Sequence, residues 1–310
     1  MRTDVALRDR VKTQIERALG SRFARVLGLR RLRGAHLILC YHDVNADPQR
    51  VGTGDRSLHL SLDDFRTQLD SLLDSGVEIS ALGQTAGPEP RSPRVTITFD
   101  DACEGALQLA VPELEARSMP ATMFVAPGIL GLDAPWWDRL AEPATGRIPS
   151  AVRRLALEEL HGRHDEILGC AAQRGWVVHA PPSGCRIGTE SDIDAAMRTH
   201  DGLSLGVHTW GHPNLASLPD DQLRDELTAP FAWLRARWPD RVIPWIAYPY
   251  GLESARVRVA AATAGYRGGL LVSGGWHRRQ THPFAIPRLN VSSGITREGF
   301  RARLAGFLGA

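Results

Sequence analysis

Short apolar runs separated by helical stretches constrain the fold of this 310-residue chain more than any other feature of its sequence. The runs that are long enough for a buried strand lie at 36–41, 94–99, 121–125, 203–208, 243–248 and 268–273. The segments with apolar residues at helical spacing lie at 62–75, 104–117, 151–174, 219–237, 253–264 and 296–308. A strand followed by a helix, repeated along the chain, predicts a parallel α/β sheet with helical crossovers. The length accommodates about six to eight such units, which favours a closed or nearly closed barrel with its chemistry at the carboxyl ends of the strands.

The composition is that of an ordinary globular protein, with 43% hydrophobic and 23% charged residues. A formal net charge of +2 argues against nucleic acid or a membrane surface as the partner. The four cysteines show no C-x-x-C spacing, and Cys40 lies within an apolar run where a buried free thiol is common. We therefore expect free thiols and a reducing compartment.

The first 34 residues carry charges throughout and contain no apolar run long enough for a signal peptide or a membrane span. This predicts a cytoplasmic protein without a transmembrane segment. Apolar residues at helical spacing over 7–30 predict a helix. That helix either packs against the barrel or contacts an anionic membrane peripherally.

We predict two parts in the chain, an N-terminal helical extension over 1–34 and a barrel domain over 35–310. Between 131 and 202 the strand–helix pattern loosens, with a Pro-Trp-Trp segment, a charged helical stretch and a Pro-Pro-Ser-Gly run. Because the strand pattern resumes at 203, we interpret about 131–202 as an insertion within the barrel domain.

Two adjacent carboxylates, Asp100 and Asp101, follow directly on the apolar run 94–99 and so lie at the carboxyl end of a predicted strand. Two negative charges this close normally force one carboxyl group to keep its proton. A divalent cation removes that conflict because it favours the ionised form of both groups. The pair therefore indicates a metal site, although Asp101 could instead cap a helix that begins near Glu104.

A pair of histidines ends another predicted strand. His208 closes the run 203–208, and His212 follows four residues later, where Gly211 and Pro213 turn the chain. With a carboxylate from a neighbouring strand end, two imidazoles form a ligand set that leaves positions open for water and substrate, as in catalytic metal sites. No glutamate lies between the histidines, which excludes the H-E-x-x-H protease motif. A chance pair among the 11 histidines is the alternative.

Three motifs in a fixed order carry a resemblance to a known family: "TFDDA" at 98–102, "HTWGHPNL" at 208–215 and "YPYG" at 248–251. They resemble the successive motifs of polysaccharide deacetylases, the carbohydrate esterase family four or NodB-homology fold. The resemblance extends over about residues 35–291. It implies a distorted (β/α) barrel, described for the family as seven-stranded, that removes acetyl groups from N-acetylated sugars with one divalent metal ion.

The resemblance assigns a role to each matching residue. Asp100 is the general base and Asp101 the carboxylate ligand of the metal, with His208 and His212 as the imidazole ligands. Zinc is the expected cation, with cobalt, nickel or manganese as alternatives. A water acidified by such a cation can lose its proton to a nearby carboxylate at neutral pH.

The "YPYG" segment, with Pro249 and Tyr250, is expected to contact the substrate, because the family credits the main chain at the Tyr250 position with stabilising an oxyanion. A turn that only closes a loop is the alternative. Trp210 is a candidate stacking platform for a sugar ring, although core packing would explain most tryptophans in the chain. "CYHDV" at 40–44 and "WWDRL" at 136–140 resemble the branch of the family associated with exopolysaccharide and glycoconjugate assembly.

The chain also departs from the family pattern. Ala102 replaces the usual glycine after the two aspartates, and Ala247 occupies a position often held by an arginine that steadies the base. That partner is missing or comes from elsewhere; Arg288 could pair with Asp100, or lie on the surface. The usual Leu-x-His motif has no counterpart in "IPRLNV" at 286–291, so the general acid is open.

Three histidines could supply the general acid. His42 ranks first because it follows the first predicted strand and so points into the pocket, and His282 and His277 are the alternatives. His42 could instead be a hydrogen-bonded structural residue.

We therefore predict a metal-dependent hydrolase that removes the N-acetyl group of an amino sugar in a glycan or glycoconjugate precursor. One alternative is hydrolysis of another non-peptide C–N bond, such as a deformylation. Another is a catalytically silent carbohydrate-binding barrel, which the missing motif histidine and Ala247 favour. Asp100 argues against it, because an inert binder has no need of a second acid beside the ligand.

Overall fold

A computed structural model describes residues 14, 16, 28–46, 54–84, 92–278 and 281–308 of the chain. Most of the helix predicted over 7–30 lies outside the described residues. The described end of that segment, 28–31, is helical and leads through a turn into the first strand.

Seven parallel strands form the framework of the fold. The strands of the described chain are β1 (His36–Tyr41), β2 (Asp43–Asn45), β3 (His59–Ser61), β4 (Glu78–Ile79), β5 (Arg94–Phe99), β6 (Ala121–Val125), β7 (Leu203–Val207), β8 (Val242–Ala247), β9 (Gly268–Leu270) and β10 (Leu289–Asn290). The main sheet runs in the order β10–β1–β5–β6–β7–β8–β9, with the short β4 paired beside β5. β2 and β3 form a separate two-stranded ribbon.

The sheet curls until its two edges meet. Leu39 of β1 pairs with Ile97 of β5 on one side and with Leu289 of β10 on the other. A parallel bridge between Leu270 and Ile286 then joins β9 to the segment that leads into β10. The prediction of a distorted (β/α) barrel is confirmed, and every strand of the ring points its carboxyl end to the same rim.

The strands are mostly apolar, as expected for a parallel sheet with both faces covered. Ile38 packs with Phe124, Ala247 and Leu270 in one buried cluster. Its neighbours Leu37 and Leu39 belong instead to the larger cluster that includes the helices. Each such side chain contributes about 1.5–3 kcal/mol when fully buried, so the barrel is a rigid base for the residues at its rim.

Helices connect the strands. In the described chain they are α1 (Leu62–Ser75), α2 (Val111–Glu115), α3 (Trp136–Arg139), α4 (Ser150–Glu158), α5 (His164–Cys170), α6 (Glu190–Thr199), α7 (Asp220–Arg237), α8 (Ala255–Thr263) and α9 (Arg297–Leu304). A π-helical turn, Ala106–Ala110, leads into α2. In the part of the chain that the structure describes, no helix has the length and apolar character needed to cross a membrane.

The segment between β6 and β7 contains α3 to α6 and has a core of its own, built around Trp136, Trp137 and Ile167. It includes the predicted insertion at about 131–202, which stays an interpretation. The single helix predicted over 151–174 is wrong in one respect, because the chain breaks into α4 and α5 at Gly162. Gly162 has φ of +75°, and a side chain there would lie 2.8 Å from the Tyr250 ring, so this position requires glycine.

Candidate metal centre and active site

The carboxyl ends of the barrel strands converge on a cavity of about 130 Å³, which we call the cleft. Its walls come from the ends of β1, β5, β7, β8, β9 and β10, from the loop before β3 and from the insertion. The lining residues are His42, Asp55, Ser57, Leu58, Asp100, Asp101, Trp137, Arg153, His208, His212, Tyr250, Val272 and Asn290.

Three of these side chains, Asp101, His208 and His212, direct one atom each towards a common point, and we call them the barrel-mouth cluster. Asp101 Oδ1 lies 3.1 Å from His212 Nε2 and 3.4 Å from His208 Nε2. The two Nε2 atoms are 3.1 Å apart. All three residues are buried.

Hydrogen bonding around the barrel-mouth cluster leaves the converging atoms without partners from the described residues outside the cluster. His208 Nδ1 donates to the Ala247 carbonyl at 2.8 Å, which leaves Nε2 with its lone pair. Within the described chain, Asp101 Oδ1 accepts no hydrogen bond although it is buried. Two imidazole nitrogens and a carboxylate oxygen facing each other in this way are stable only when a proton or a cation lies between them.

The separations fit a metal ion. Ligand atoms about 2.0–2.1 Å from a tetrahedral zinc are about 3.3 Å apart, close to the three observed distances. Two nitrogens and one oxygen are also a donor set that zinc and similar divalent ions accept. The pKa of Asp101 lies well below its ordinary value, because the two imidazoles outweigh the opposing effect of burial. The carboxylate is therefore ionised and ready to bind a cation.

Asp100 has a different partner. Arg288 donates to both carboxylate oxygens, from Nη1 to Oδ1 at 2.7 Å and from Nη2 to Oδ2 at 2.6 Å. Burial alone would raise the pKa of Asp100, but the guanidinium lowers it to about 2. Arg288 is itself held by the Leu271 carbonyl and Thr98 Oγ1. Asp100 thus has an arginine partner although position 247 is an alanine. Arg288 directly precedes β10, which is separated from β5 by β1 alone in the sheet.

The backbone at this rim is strained. Seven non-glycine residues of the described chain have positive φ, and most of them carry or adjoin the side chains of the cleft. Those at the cleft are Asp101 (70°), Ala102 (56°), Thr209 (66°), His212 (59°) and Tyr250 (59°). A left-handed non-glycine residue costs on the order of 1–3 kcal/mol and persists where surrounding structure and function require it. Asp101 does not cap a helix, the alternative interpretation of this residue. The helical turn that follows, Ala106–Ala110, has no side-chain hydrogen bond at its N-terminus.

Tyr250 closes the cleft over the barrel-mouth cluster. Its hydroxyl accepts from Trp136 Nε1 at 3.0 Å and donates to the Gly162 carbonyl at 3.2 Å. Its ring lies 4.7 Å from the ring of His212. Its backbone N–H has no acceptor among the described residues and is free to donate to a ligand.

Part of the chain matches a known protein family. Residues 162–269 match the family model described as polysaccharide deacetylase. The match covers 108 of the 310 residues and shows the similarity of this part of the chain to that family. The match contains both cluster histidines and the "YPYG" segment, whereas Asp100 and Asp101 come to the same cleft from outside it.

Solved structures extend the similarity beyond this range. The Streptococcus pyogenes deacetylase PplD, solved with acetate, is 18% identical and aligns with a TM-score of 0.61 over 88% of this chain and 99% of its own. IcaB from Ammonifex degensii is 18% identical, with a TM-score of 0.59 over 88% and 97% of the two chains. The BpsB deacetylase domain from Bordetella bronchiseptica is 16% identical, with a TM-score of 0.53 over 84% and 97%. At these identities the similarity shows a shared fold. No curated protein sequence matches the chain.

Among the three histidines considered as general acid, the fold brings only His42 to the cleft. His277 pairs through its backbone with His36, at the amino end of β1 and so at the opposite end of the barrel. His282 is exposed and accepts a hydrogen bond from the Phe284 amide. Burial lowers the pKa of His42, and the charges of Asp100 and Asp101 do not offset that effect.

Three of the residues expected to contact substrate lie elsewhere than on the cleft wall. Arg288 is fully buried behind Asp100, where it can position the carboxylate but not touch a sugar. Pro249 is buried in the turn that presents Tyr250. Trp210 lines a separate cavity of about 280 Å³ on the outer surface. These placements leave Tyr250 as the one expected substrate contact that lines the cleft.

Several residues that line the cleft were not predicted from the sequence. Asp55, Leu58 and Arg153 line the cleft from a loop and from α4, and Asn290 lines it from β10. Asn290 Oδ1 is buried and has no hydrogen-bond partner within the described chain, so it can accept from a ligand. The only signal in the sequence was the position of Asn290 at the end of the segment "IPRLN", and nothing local marked the other residues.

Proposed function

We propose that this protein removes the N-acetyl group of an amino sugar in a glycan or glycoconjugate precursor by metal-dependent hydrolysis. One observation carries the proposal: the barrel-mouth cluster, with three ligand atoms 3.1–3.4 Å apart, lies beside a second carboxylate, Asp100, that Arg288 holds ionised. A cluster that only bound a cation would have no use for this buried and costly second charge.

The cation that we expect in the cluster is zinc. Asp101 Oδ1, His208 Nε2 and His212 Nε2 would hold it, and the remaining positions would face the cleft. When bound, such an ion supplies Lewis acidity, which polarises an amide carbonyl and eases the deprotonation of water.

Asp100 is the residue that accepts a proton in this scheme. Its carboxylate is ionised over the whole neutral range because Arg288 lowers its pKa to about 2. The two hydrogen bonds from Arg288 also fix the plane of the carboxylate, so its remaining lone pairs keep one direction. Fixed orientation of a general base is worth orders of magnitude in rate.

The free backbone N–H of Tyr250 can stabilise negative charge that develops on the carbonyl oxygen during attack. The positive φ of Tyr250, 59°, is the conformational cost of presenting this group to the cleft. On the other side, His42 and Asp100 offer atoms within 4.8 Å of each other. The departing amine must gain a proton, and we propose His42, which lines the same cleft, as the residue that supplies it.

The dimensions of the cleft support a small reacting group. Its volume of about 130 Å³ is small for a ligand-binding pocket, which suits a group of the size of an acetamido group. The sugar ring would then lie at the mouth of the cleft, near Arg153, Asp55 and Asn290.

We further propose that the enzyme is cytoplasmic and acts on a precursor. Fractionation of cells that express the tagged protein would test the location.

The test of this function is product analysis. Chelator-treated protein reloaded with Zn²⁺ is incubated with N-acetylhexosamine oligomers and with lipid- or nucleotide-linked precursors, and acetate, formate and free amine are measured. We expect acetate and free amine in equal amounts from the wild type, and a loss of about 10²–10⁴-fold in rate for Asp100→Asn. Formate from N-formylated substrates alone would favour the deformylase. Sugar binding without any product would favour the silent barrel.

A further inference from the structure

A second group of ionisable residues lies outside the cleft, on the side where the insertion meets the β2–β3 ribbon. His59 of β3 lies between two carboxylates, with Nδ1 2.9 Å from Asp43 Oδ2 and Nε2 2.9 Å from Asp138 Oδ1. Relative exposure is 5% for His59, 1% for Asp43 and 2% for Asp138. We call these three residues the clamp.

The clamp is charged. Burial lowers the pKa of His59, but the charge of Asp138 and hydrogen bonds to both carboxylates raise it well above its ordinary value. Both ring nitrogens therefore carry protons, and each donates to one carboxylate. Separating His59 from either carboxylate would leave a buried charge uncompensated, which is costly. The clamp therefore favours the one arrangement of its three segments in which both contacts are made.

The clamp joins segments that are far apart in the sequence. Asp43 belongs to β2, His59 to β3 and Asp138 to α3 of the insertion. Asp138 Oδ1 also accepts from the Asp55 amide at 2.8 Å. Asn45 ties Asp43 to the far end of the insertion, since its side-chain amide donates to Asp43 Oδ2 and to the Gly184 carbonyl.

Each of these segments supplies a wall of the cleft. Trp137 precedes Asp138 in α3, lines the cleft and lies 4.9 Å from the His212 ring. Asp55, Ser57 and Leu58 precede His59 and line the facing wall. Asp138 joins the two walls through its contacts with His59 and with the Asp55 amide. Further along the same loop, Arg56 bonds to the Pro143 and Gly146 carbonyls and Leu58 packs against the core of the insertion.

We propose that the clamp of Asp43, His59 and Asp138 is a positioning device that sets the distance between the insertion wall and the loop wall of the cleft, and thereby the binding of the amino-sugar substrate. The inference rests on the proposed function and extends it, because it assigns substrate positioning to residues that do not touch the cleft. His59 acts through Trp137 and Asp55, and takes no part in the chemistry.

A metal site at the clamp is the competing interpretation. Cys185 Sγ lies 3.4 Å from His59 Nε2, so His59, Asp138 and Cys185 could in principle surround an ion. The contacts favour the ion pair, because each ring nitrogen already has a carboxylate at 2.9 Å and Asp138 Oδ1 is doubly hydrogen-bonded. The barrel-mouth cluster shows the opposite pattern, with converging atoms that lack such partners.

The chain offers a matched control. His200 is buried to the same degree, with Nδ1 2.5 Å from Glu115 Oε2 and Nε2 2.8 Å from the Met119 carbonyl. It lies at the end of α6 and does not line the cleft. His200→Gln therefore reports the general cost of altering a buried, carboxylate-bonded histidine.

The first experiment is hydrogen–deuterium exchange of His59→Gln, Asp138→Asn and His200→Gln by mass spectrometry, which needs no enzyme activity. We expect both clamp variants to exchange faster in peptides covering 54–60 and 134–140, with the β5 and β7 peptides unchanged. His200→Gln should leave 54–60 and 134–140 unchanged. Equal exchange of 54–60 and 134–140 in the wild type and both clamp variants would overturn the proposal.

The second experiment separates KM from kcat with the substrate identified above. His59→Gln and Asp138→Asn should raise KM about tenfold and change kcat less than about threefold, while His200→Gln changes both less than about twofold. The double variant should raise KM no further than the larger single change, because both act through one device. A fall in kcat alone, or additive effects, would contradict positioning. If the wild type releases no product but the exchange results hold, the proposed function fails and the clamp stands.

Elemental analysis of the purified protein distinguishes the ion pair at the clamp from a metal site there. We expect the same metal content in the wild type, His59→Gln and Cys185→Ala. Two equivalents in the wild type, with one lost in Cys185→Ala, would replace the clamp by a second metal site. The substitution Asp138→Asn preserves the side-chain shape, so the test stands if His59→Gln fails to fold.

Discussion

The barrel-mouth cluster and the clamp contain the same residue types in similar burial, yet they support opposite chemistry. In the clamp, one histidine lies between two carboxylates and both nitrogen–oxygen pairs are hydrogen bonds of 2.9 Å. In the cluster, two histidines and one carboxylate direct three atoms to one point, and a buried Asp101 oxygen has no hydrogen-bond partner in the described chain. In the first arrangement both ring nitrogens have a carboxylate partner, although Asp43 Oδ1 has none among the described residues. The second arrangement needs a proton or a cation between its converging atoms.

Backbone conformation follows the same division. Asp101 and His212 of the cluster have positive φ, as does the adjacent Ala102, while none of the three clamp residues is among the non-glycine residues with positive φ. Strain therefore marks the proposed active site, whereas unstrained backbone and two paired ring nitrogens mark the clamp. Residue composition alone does not distinguish a metal site from an ion pair; the pairing of individual atoms does.

The largest difference between the two regions should appear in turnover. We expect His212→Ala to lose at least about 10³-fold in kcat/KM, because it removes a ligand of the proposed cation and the chemistry that depends on it. His59→Gln should keep kcat within about threefold of the wild type. Steady-state kinetics of both variants with the same substrate make the comparison. Equal losses of kcat in the two would show that the cluster has no special role.

The next largest effect concerns stability at the edge of the cluster. Arg288→Gln leaves Asp100 as a buried charge without its partner, so we expect a loss of about 3–5 kcal/mol in the free energy of unfolding. Arg241→Gln, which breaks an exposed ion pair with Asp201, should cost less than about 1 kcal/mol. Chemical denaturation of both variants measures the difference. A cost below about 1 kcal/mol for Arg288→Gln would show that Asp100 does not depend on this arginine.

A smaller effect concerns the pH dependence of the clamp. The pKa of His59 is raised in the folded state above its unfolded value of about 6.5, so its stabilising contribution is fully present below about pH 6.5 and is lost as the pH rises through the folded pKa. The stability difference between wild type and His59→Gln should therefore shrink as the pH rises from about 6 towards about 10. Denaturant midpoints across this range measure it. A difference that grows with pH would mean that His59 is neutral in the folded protein.

The smallest effect tests the strain at the cluster. Ala102 has φ of 56°, a conformation that costs about 1–2 kcal/mol for a residue with a side chain and little for glycine. Allowing for the greater chain entropy of glycine, Ala102→Gly should raise the unfolding free energy by up to about 1 kcal/mol. Ser118→Gly is the matched control at a left-handed position away from the cleft. If Ala102→Gly destabilises while Ser118→Gly stabilises, the methyl group of Ala102 has a packing role that outweighs the strain.

Much of this architecture is legible in the sequence because it depends on local pattern. The alternation of apolar runs and helices predicts the barrel, and the position of Asp100 and His208 directly after such runs places them on one rim. The sequence left two alternatives for Arg288, pairing with Asp100 or a place on the surface, and the structure contains the pairing. The break between α4 and α5 was missed, because a single helical pattern over 151–174 gave no weight to Gly162.

The clamp and the cleft walls could not be predicted in the same way. Asp43, His59 and Asp138 are separated by 16 and 79 residues along the chain, and no local pattern marks them as partners. Trp210 shows the converse failure: it lies within a motif that carries two cluster histidines, yet its side chain points to a separate cavity. The error at Trp210 arises because motif membership fixes a position on the backbone and not the direction of a side chain.

The most direct test of the account is a calorimetric titration of the chelator-treated protein with Zn²⁺, carried out for the wild type, His212→Ala and His59→Gln. The account predicts one equivalent bound by the wild type and by His59→Gln, and binding weakened by at least about 100-fold in His212→Ala. Unchanged affinity in His212→Ala, or a lack of binding in the wild type, would contradict the claim that the barrel-mouth cluster is a metal centre.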